Sequence, residues 1–353
     1  MVAVEPNPTA ETIYLGCYTA DGGGNGSGVM AARRDPVSGR IEEPVLVAET
    51  PSPSFLTRHP RRPVLYAVNE VDEGTVSAWK VGGDGGLRPL GEQSTGGSSP
   101  CHLAFVATGD HLVSVNYVSG SVAVHPVTDK GELLPRTDLR THTGAGPRSD
   151  RQEGPHAHMV SPDPEGDGLY AIDLGTDAVY RYLLDQATGV LSEPDPAVAA
   201  TPGSGPRHFA RHPAGGYGYL VGELDASVTA YAIDGTGRIR ERGRASASAA
   251  TGAQPSEIAV GPGGRFLYVA NRGPDTIAIF SLSVPDQPLY VTEVASGGHW
   301  PRHFAIVGGH LYVANERSES VGVHVIDPVT GGPSMLGDPV PVPTPTCVLP
   351  VSW

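Results

Sequence analysis

The sequence predicts an all-β fold, a seven-bladed β-propeller with four-stranded antiparallel blades. Three observations support it: a proline motif recurs along the chain, a Leu-Tyr strand follows several copies of it, and the two ends of the sequence complement each other. The motif prolines stand 44 to 55 residues apart, close to the length of one propeller blade. They are Pro53, Pro100, Pro155, Pro206, Pro255, Pro301 and Pro345.

Each repeat contains the elements of one blade. The motif proline precedes a short apolar segment, the predicted innermost strand. The second strand is clearest at 65–69, 267–271 and 311–315, which all read Leu-Tyr-x-x-Asn. A third apolar strand, such as 228–231, comes next, and a Gly-containing turn leads to a weaker fourth strand. Four short strands joined by turns in every repeat are typical of a propeller.

The two ends of the chain together supply one blade. Pro345 leads into an apolar strand at 347–349, after which the sequence stops. The strands that would complete this blade lie at 13–17 and 29–32, followed by a turn and an outer strand at Ile41. A blade shared in this way would close the ring and leave no exposed sheet edge.

Composition and charge argue against several other classes of protein. No linker or charge block divides the 353 residues, so we expect one domain over 1–353 with residues 1–11 flexible. The net charge of -14 argues against nucleic acid as a partner. No run approaches the roughly 20 apolar residues of a membrane span, and no signal peptide is evident. The scattered Cys17, Cys101 and Cys347 fit reduced thiols in a cytoplasmic protein.

Function in a propeller lies in side chains that depart from the repeat. The residue after the motif proline is small in four copies, but it is His156, Arg207 or Arg302 in the other three. Because the innermost strands line the central channel, these basic or titratable side chains are expected to converge on one volume.

A second departure lies where the second strand ends. Glu223 and Arg272 occupy the same place in adjacent repeats. Arginine binds phosphate or carboxylate through two parallel N–H donors, and a glutamate or a histidine can transfer a proton. The set therefore suits an anionic or carbonyl substrate. The alternative is that Glu223 and Arg272 form only a structural ion pair between blades.

Other polar residues that recur in the repeat have structural interpretations. His102, His208 and His303 all stand two residues after a motif proline, which indicates a structural role shared by the repeats. Asn271 and Asn315 also recur at one position and are expected to cap blade turns.

Two stretches of the sequence resemble a known family. They are Arg151-Gln152-Glu153-Gly154-Pro155-His156-Ala157-His158, and Gly205-Pro206-Arg207-His208-Phe209 with Glu223-Leu224 after it. Both resemble the lactonase family of seven-bladed propellers, which includes the propeller-type bacterial 6-phosphogluconolactonases and the fungal carboxymuconate-lactonizing enzymes. The likeness extends from Ile13 to Cys347.

The resemblance implies a catalytic site that needs no metal and no organic cofactor. Its catalytic members would be His156, Arg207, Glu223 and Arg272. Further candidates for substrate binding are Arg151, Gln152, His158, Arg302 and His303. Gly222 departs from the family pattern, in which an asparagine commonly precedes the glutamate, and we expect this change to alter local packing only.

These residues are expected to act on an anionic lactone. Arg207 and Arg272 would hold the anionic group or polarise the lactone carbonyl and stabilise the oxyanion. Glu223 or His156 would take a proton from the attacking water.

Three functions remain open from the sequence. The first is hydrolysis of a sugar lactone such as 6-phosphogluconolactone in carbohydrate metabolism. The second is closure of a muconate-like diacid to a lactone, which needs the same types of group. The third is a propeller that binds a ligand without catalysis. The first two functions imply a small anionic substrate and the third a peptide or a metabolite, and in each case we expect a monomer.

Overall fold

The computed structural model describes residues 11–351, which form seven antiparallel sheets around a channel. Each innermost strand contacts the innermost strand of the next sheet, and the last contacts the first, so the ring is closed. The predicted seven-bladed propeller is confirmed. Residues 1–10, most of the segment expected to be flexible, lie outside the described residues, whereas Glu11 begins the first strand.

Each blade has four strand positions from the channel outward. The innermost strands are β4 (Phe55–Arg58), β8 (Pro100–Phe105), β12 (Ala157–Pro162), β17 (Pro206–Arg211), β21 (Gln254–Val260), β25 (Pro301–Val307) and β30 (Pro345–Val351). The second strands are β5 (Val64–Asn69), β9 (His111–Asn116), β13 (Gly168–Asp173), β18 (Tyr217–Gly222), β22 (Phe266–Arg272), β26 (His310–Asn315) and β1 (Glu11–Cys17). The blades are numbered 1 to 7 in this order.

The outer positions complete the blades. The third strands are β6 (Thr75–Val81), β10 (Ser121–Pro126), β14 (Ala178–Asp185), β19 (Ser227–Ile233), β23 (Thr276–Ser281), β27 (Ser320–Ile326) and β2 (Gly28–Arg34). The fourth are β7 (Leu87–Ser94), β11 (Asp138–Thr141), β16 (Asp195–Ala199), β20 (Ile239–Ser246), β24 (Leu289–Ala295), β28 (Pro333–Met335) and β3 (Val45–Glu49). Short strands β15 (Val190–Leu191) and β29 (Val340–Pro341) pair with third strands, and 3-10 helices span Ala20–Gly22 and Glu316–Ser318.

Blade 7 is built from both ends of the chain. Strand β1 pairs with β2 on one side and with β30 on the other, with Leu15 opposite Val348. The prediction of a shared blade is therefore confirmed. Ile41, which was expected to begin the outer strand, instead forms an isolated bridge with Arg34, and the fourth strand is β3.

The recurring tyrosine of the second strand joins neighbouring blades. The hydroxyl of Tyr66 donates to the carbonyl of Gly131 in the next blade at 2.7 Å. Five other blades repeat this bond to the same outer turn of their neighbour, from Tyr14, Tyr170, Tyr219, Tyr268 and Tyr312. Burying an aromatic ring while its hydroxyl finds an acceptor stabilises the contact between blades.

The recurring asparagines cap the blades, as predicted. Asn69 and Asn271 are fully buried, and their side-chain amides donate at 2.8 Å to the carbonyls of Pro51 and Ala247, which precede the innermost strand of the same blade. These bonds tie each channel strand to its blade.

The apolar core lies between the blades. It consists of seven clusters of buried side chains, each contributed by two neighbouring blades. Burial of apolar surface between blades is the main force that holds the ring together. It also fixes side chains of different blades relative to one another at the channel.

Candidate active site

The site residues of blade 3 lie two residues away from their expected register. Ala157, not Pro155, pairs with the last residue of the second strand, Asp173. In blades 2 and 4 this place belongs to the motif prolines Pro100 and Pro206. The longer connection from blade 2 to blade 3 displaces the Gly-Pro-His segment, so the predicted alignment of this blade is wrong.

The correction moves both histidines back by two positions in the repeat. His158 takes the position that Arg207 and Arg302 hold in their blades, whereas His156 precedes the strand and takes the position of Gly205. Of the three side chains predicted to converge, Arg207 and Arg302 line one narrow cavity in the channel, and His158 lines it in place of His156. The cavity is lined from six of the seven positions, by Ser54, Cys101, His158, Arg207, Arg302 and Thr346.

Glu223 lies at the centre of three arginines. Its Oε1 atom is 2.6 Å from Nη2 of Arg151, and its Oε2 atom is 2.7 Å from Nη2 of Arg272 and 3.1 Å from Nε of Arg207. Glu223 follows strand β18, Arg207 lies on β17 and Arg272 ends β22, so two blades supply the cluster and Arg151 joins it from the loop before blade 3. The Glu223 side chain is 4 % exposed.

Backbone carbonyls of blade 5 anchor Arg207 and Arg272, the two arginines that contact Oε2 of Glu223. Arg272 donates from Nε to the carbonyl of Gln254 at 3.0 Å, and Arg207 donates from Nη1 to the carbonyl of Ser256. The guanidinium groups are therefore held in place before any substrate arrives, which is the arrangement that stabilises charge developing in a transition state.

The charges of this cluster determine the ionisation of Glu223. Burial opposes loss of its proton, but Arg272, Arg207 and Arg151 outweigh burial and hold the pKa of Glu223 at about 2. Burial, followed by repulsion from Arg272, lowers the pKa of Arg207 to about 10. At neutral pH the carboxylate is ionised and the cluster carries two more positive charges than negative ones.

The ionised carboxylate predicts a loss of stability in acid. The pKa of Glu223 is about 2 in the folded protein against an ordinary value of 4.5. Its contribution is therefore complete above about pH 4.5 and is lost as the pH falls towards 2, and it amounts to about 3 kcal/mol. Urea unfolding at pH 7, 4.5 and 3 should show this slope in the wild type and a shallower one in Glu223→Gln. Equal slopes would contradict the assignment.

His156 lies beside the cluster. Its Nδ1 atom donates to the carbonyl of Tyr117 at 3.0 Å, and its ring stacks on the Tyr117 ring with centroids 4.5 Å apart. Its Nε2 atom lies 3.3 Å from Oε1 of Glu153, an exposed carboxylate. The hydroxyl of Tyr117 is 3.5 Å from Arg151, so Tyr117 connects His156 to the arginine cluster.

The buried pair of Asp173 and His142 holds the backbone of His156 in place. Asp173 accepts from Nδ1 of His142 at 2.6 Å through one oxygen and from the backbone N–H of His156 at 2.9 Å through the other. Hydrogen bonds from His142 and from these backbone groups lower the pKa of Asp173 in spite of its burial.

Gln152 differs from its predicted role. Its side chain is fully buried, it donates to the carbonyl of Leu174 at 2.8 Å and it accepts from the backbone N–H of Arg148 at 3.1 Å. Because both ends of the amide are occupied by backbone, Gln152 shapes the loop that carries Arg151, which argues against a direct contact with substrate.

Arg302 differs as well, since its charge is already neutralised. It donates to the hydroxyl of Tyr18 at 2.5 Å and to Glu316 at 3.3 Å, and Glu70 lies 4.0 Å away. An anionic substrate would have to compete with two carboxylates for this guanidinium group. These partners argue against the predicted role of Arg302 in substrate binding, and the residue lines the channel wall.

His303 packs deeper in the channel with a residue that the sequence analysis missed. Glu257 accepts from Nδ1 of His208 at 3.0 Å, and Nε2 of His303 is 3.4 Å from the same oxygen. Burial lowers the pKa of His303 to about 4, so the ring is neutral. His102 and Phe55 complete this packing. These contacts support the structural interpretation of the three histidines, although His208 and His303 also line the channel cavity.

Glu257 had a signal in the sequence. It stands two residues after Pro255, where other repeats have Phe55, His102, His208 and His303. A carboxylate at a position that is aromatic or histidine in four other repeats is a departure of the same kind as those that identified Arg207 and Glu223.

The surroundings of Gly222 show the change in local packing that the sequence predicts. A Cβ atom here would lie 2.5 Å from Oδ1 of Asp225 and 2.6 Å from the Ser227 hydroxyl. These groups fill the space that a side chain at position 222 would need, while Glu223 beside it keeps its contacts.

Three further features of residues 11–351 complete the site's surroundings. Cys17, Cys101 and Cys347 are unpaired and buried. No three His, Cys, Asp or Glu side chains of these residues lie close enough together to hold a metal ion. None of their helices is long and apolar enough to cross a membrane.

Comparison with known proteins gives the same picture. The family model described as Lactonase, 7-bladed beta-propeller, matches residues 12–350. A 6-phosphogluconolactonase from Bacillus subtilis is 36% identical over 344 residues, which are 95% of this chain and 97% of that protein. A 6-phosphogluconolactonase from Formosa agariphila is 32% identical over 290 residues, 79% of this chain and 82% of that protein.

Solved structures agree over the whole ring. A protein from Bacteroides fragilis superposes with a TM-score of 0.92 at 31% identity, covering 99% of this chain and 100% of that one. The periplasmic gluconolactonase of Pseudomonas aeruginosa superposes with a TM-score of 0.91 at 31% identity, covering 98% and 99%. With the family model matched from the first strand to the last, the chain belongs to the lactonase family of seven-bladed β-propellers.

Proposed function

We propose that this protein hydrolyses a sugar lactone, with 6-phosphogluconolactone as the leading substrate, and that it needs no metal or organic cofactor. The observation that carries the proposal is the convergence of Arg151, Arg207 and Arg272 on one buried carboxylate. A protein of net charge -14 thereby holds a locally cationic cluster, which suits an anionic ester. The names of the Bacillus and Formosa relatives support the choice of substrate.

In the proposed mechanism Glu223 positions the arginines and does not act as the base. With a pKa of about 2 and an arginine on each oxygen, it is a weak proton acceptor at neutral pH. Arg207 and Arg272 polarise the lactone carbonyl and stabilise the oxyanion that forms when water adds to the carbonyl carbon.

His156 takes the proton in this mechanism. The bond from its Nδ1 atom to the Tyr117 carbonyl fixes the tautomer, so the neutral ring has its lone pair on Nε2, and the exposed Glu153 carboxylate turns away when water binds there. Water forms a bond to the carbonyl carbon as Nε2 accepts its proton. When the bond to the ring oxygen breaks, that oxygen receives the proton and the product carries one carboxyl and one new hydroxyl group.

The test is pH-stat hydrolysis of freshly prepared 6-phosphogluconolactone, with gluconolactone and a muconate-type diacid as comparisons. We expect the wild type to exceed spontaneous opening with 6-phosphogluconolactone, and EDTA to leave the rate unchanged. A loss of rate with EDTA would contradict the metal-independent mechanism. Closure of the diacid without hydrolysis would identify a cycloisomerase, and no turnover of any compound would favour a binding propeller.

We further propose a cytoplasmic monomer acting in carbohydrate metabolism. The three unpaired, buried cysteines support a reducing compartment. The innermost strands of one chain contact one another all the way around the ring, so the channel needs no second copy of the chain.

A further inference from the structure

Trp300 departs from the repeat at the entrance to an innermost strand. The residue before the motif proline has a left-handed backbone in five blades, with φ between 37 and 63°. These residues are Ser52, Ser99, Gly205, Trp300 and Thr344. All are small except Trp300, whose φ of 63° is the largest among the non-glycine members and disfavours a bulky side chain.

The fold imposes this backbone whatever the side chain. Oδ1 of Asp275 accepts from the N–H of Trp300 at 2.7 Å, and Oδ1 of Asp177 accepts in the same way from the N–H of Gly205 at 2.8 Å. Since glycine serves at the equivalent position, the indole is not needed for the turn. A bulky residue held in a strained conformation beside a site is a sign of function.

The indole connects the arginine cluster to a second, more exposed arginine. The guanidinium carbon of Arg317 is 3.5 Å from the centroid of the Trp300 ring, and that of Arg272 is 5.5 Å from it. Arg317 lies in the 3-10 helix after β26, and Glu223 directly follows β18. Both strands are second strands of their blades, so the two residues lie on the same face of the propeller. The Trp300 indole thus lies between Arg272 of the cluster and the exposed Arg317.

Arg317 keeps its charge available. Its side chain is exposed, and within the described part of the chain no carboxylate lies within ion-pair distance of it. In this it differs from Arg302, which two carboxylates and Tyr18 surround. A guanidinium stacked on an aromatic face still presents its edge N–H groups to an anion.

We propose that Arg317, held flat against Trp300, binds the phosphate of a phosphorylated sugar lactone and that these two residues determine specificity for that substrate. The inference rests on the proposed lactone hydrolysis and adds the group that selects the phosphorylated form. Arg272 would then face the lactone carbonyl while Arg317 faces the phosphate, with the indole fixing the distance between them.

The experiment compares 6-phosphogluconolactone with gluconolactone for the wild type, Arg317→Gln, Trp300→Leu and Trp300→Phe. We expect Arg317→Gln to raise KM for the phosphorylated lactone about tenfold or more, with kcat and the gluconolactone rate nearly unchanged, because one charge-assisted hydrogen-bonded contact is lost. Trp300→Leu should act in the same direction, and Trp300→Phe should retain most of the preference. Arg242→Gln, an exposed arginine on outer strand β20, is the matched control and should change nothing.

Two kinetic results would overturn the inference. If Arg317→Gln impairs both lactones equally, the residue supports Arg272 and does not recognise phosphate; if it impairs neither, it makes no substrate contact. Calorimetric binding of 6-phosphogluconate and gluconate separates this inference from the proposed function. A wild type that opens neither lactone would contradict the proposed hydrolysis alone. An affinity for 6-phosphogluconate that Arg317→Gln leaves unchanged would contradict the phosphate site.

Discussion

Glu223→Gln is expected to lower kcat by about 100- to 1000-fold and to destabilise the fold by about 3 kcal/mol, with a smaller change in KM. The substitution keeps the shape of the side chain but removes the charge that holds Arg151, Arg207 and Arg272 together. The three guanidinium groups that surround position 223 then repel one another, so their N–H groups no longer point at a common oxyanion. Steady-state kinetics and urea unfolding at pH 7 measure the two effects.

A second ion pair separates loss of stability from loss of chemistry. Glu11 lies 2.6 Å from the buried Arg34, on blade 7 and without contact to the cluster. Glu11→Gln is expected to lower stability while kcat stays at the wild-type value. If Glu223→Gln lowers stability and leaves kcat unchanged as well, the carboxylate is a structural ion-pair partner and the proposed mechanism is wrong.

Arg207→Lys is expected to lower kcat by about 100-fold or more, although the charge is retained. Arg207 is 3 % exposed and uses separate nitrogen atoms for the Ser256 carbonyl and the Glu223 carboxylate. A lysine ammonium is a single point of charge and cannot hold both contacts and a developing oxyanion at once.

The equivalent residue of blade 6 provides the matched control. Arg302→Lys makes the same chemical change at the same position of the repeat, but its partners are Tyr18, Glu70 and Glu316. We expect less than a tenfold change in kcat for it, because this guanidinium faces no reacting atom. Equal losses in both variants would mean that the channel wall in general, rather than the Glu223 cluster, supports catalysis.

The blades were predictable because each repeat encodes its own strands locally. Alternating turn residues and apolar runs repeat seven times, and the Leu-Tyr-x-x-Asn strand carries both a tyrosine that bonds the next blade and an asparagine that caps its own. Seven copies of one local pattern leave little freedom in fold, and the complementary ends required closure.

The site was predictable where the repeats align without gaps. Glu223 and Arg272 stand at one place in adjacent blades, and the structure brings them into contact at 2.7 Å. The predicted register was wrong for His156 and His158, because the loop before blade 3 has extra residues and Pro155 imitates the motif proline two positions early. Register follows backbone pairing, which a count of residues between prolines does not reveal.

The sequence by itself determined the number of blades, the shared blade 7 and the position in each repeat from which functional side chains project. Only the tertiary structure decided which of those side chains are free to act. Gln152, Arg302 and His303 are of the right chemical type, but partners from distant parts of the chain occupy them. Partner choice depends on distances between residues far apart in sequence, and burial makes those distances decisive because an ion pair or hydrogen bond is strong where water is excluded.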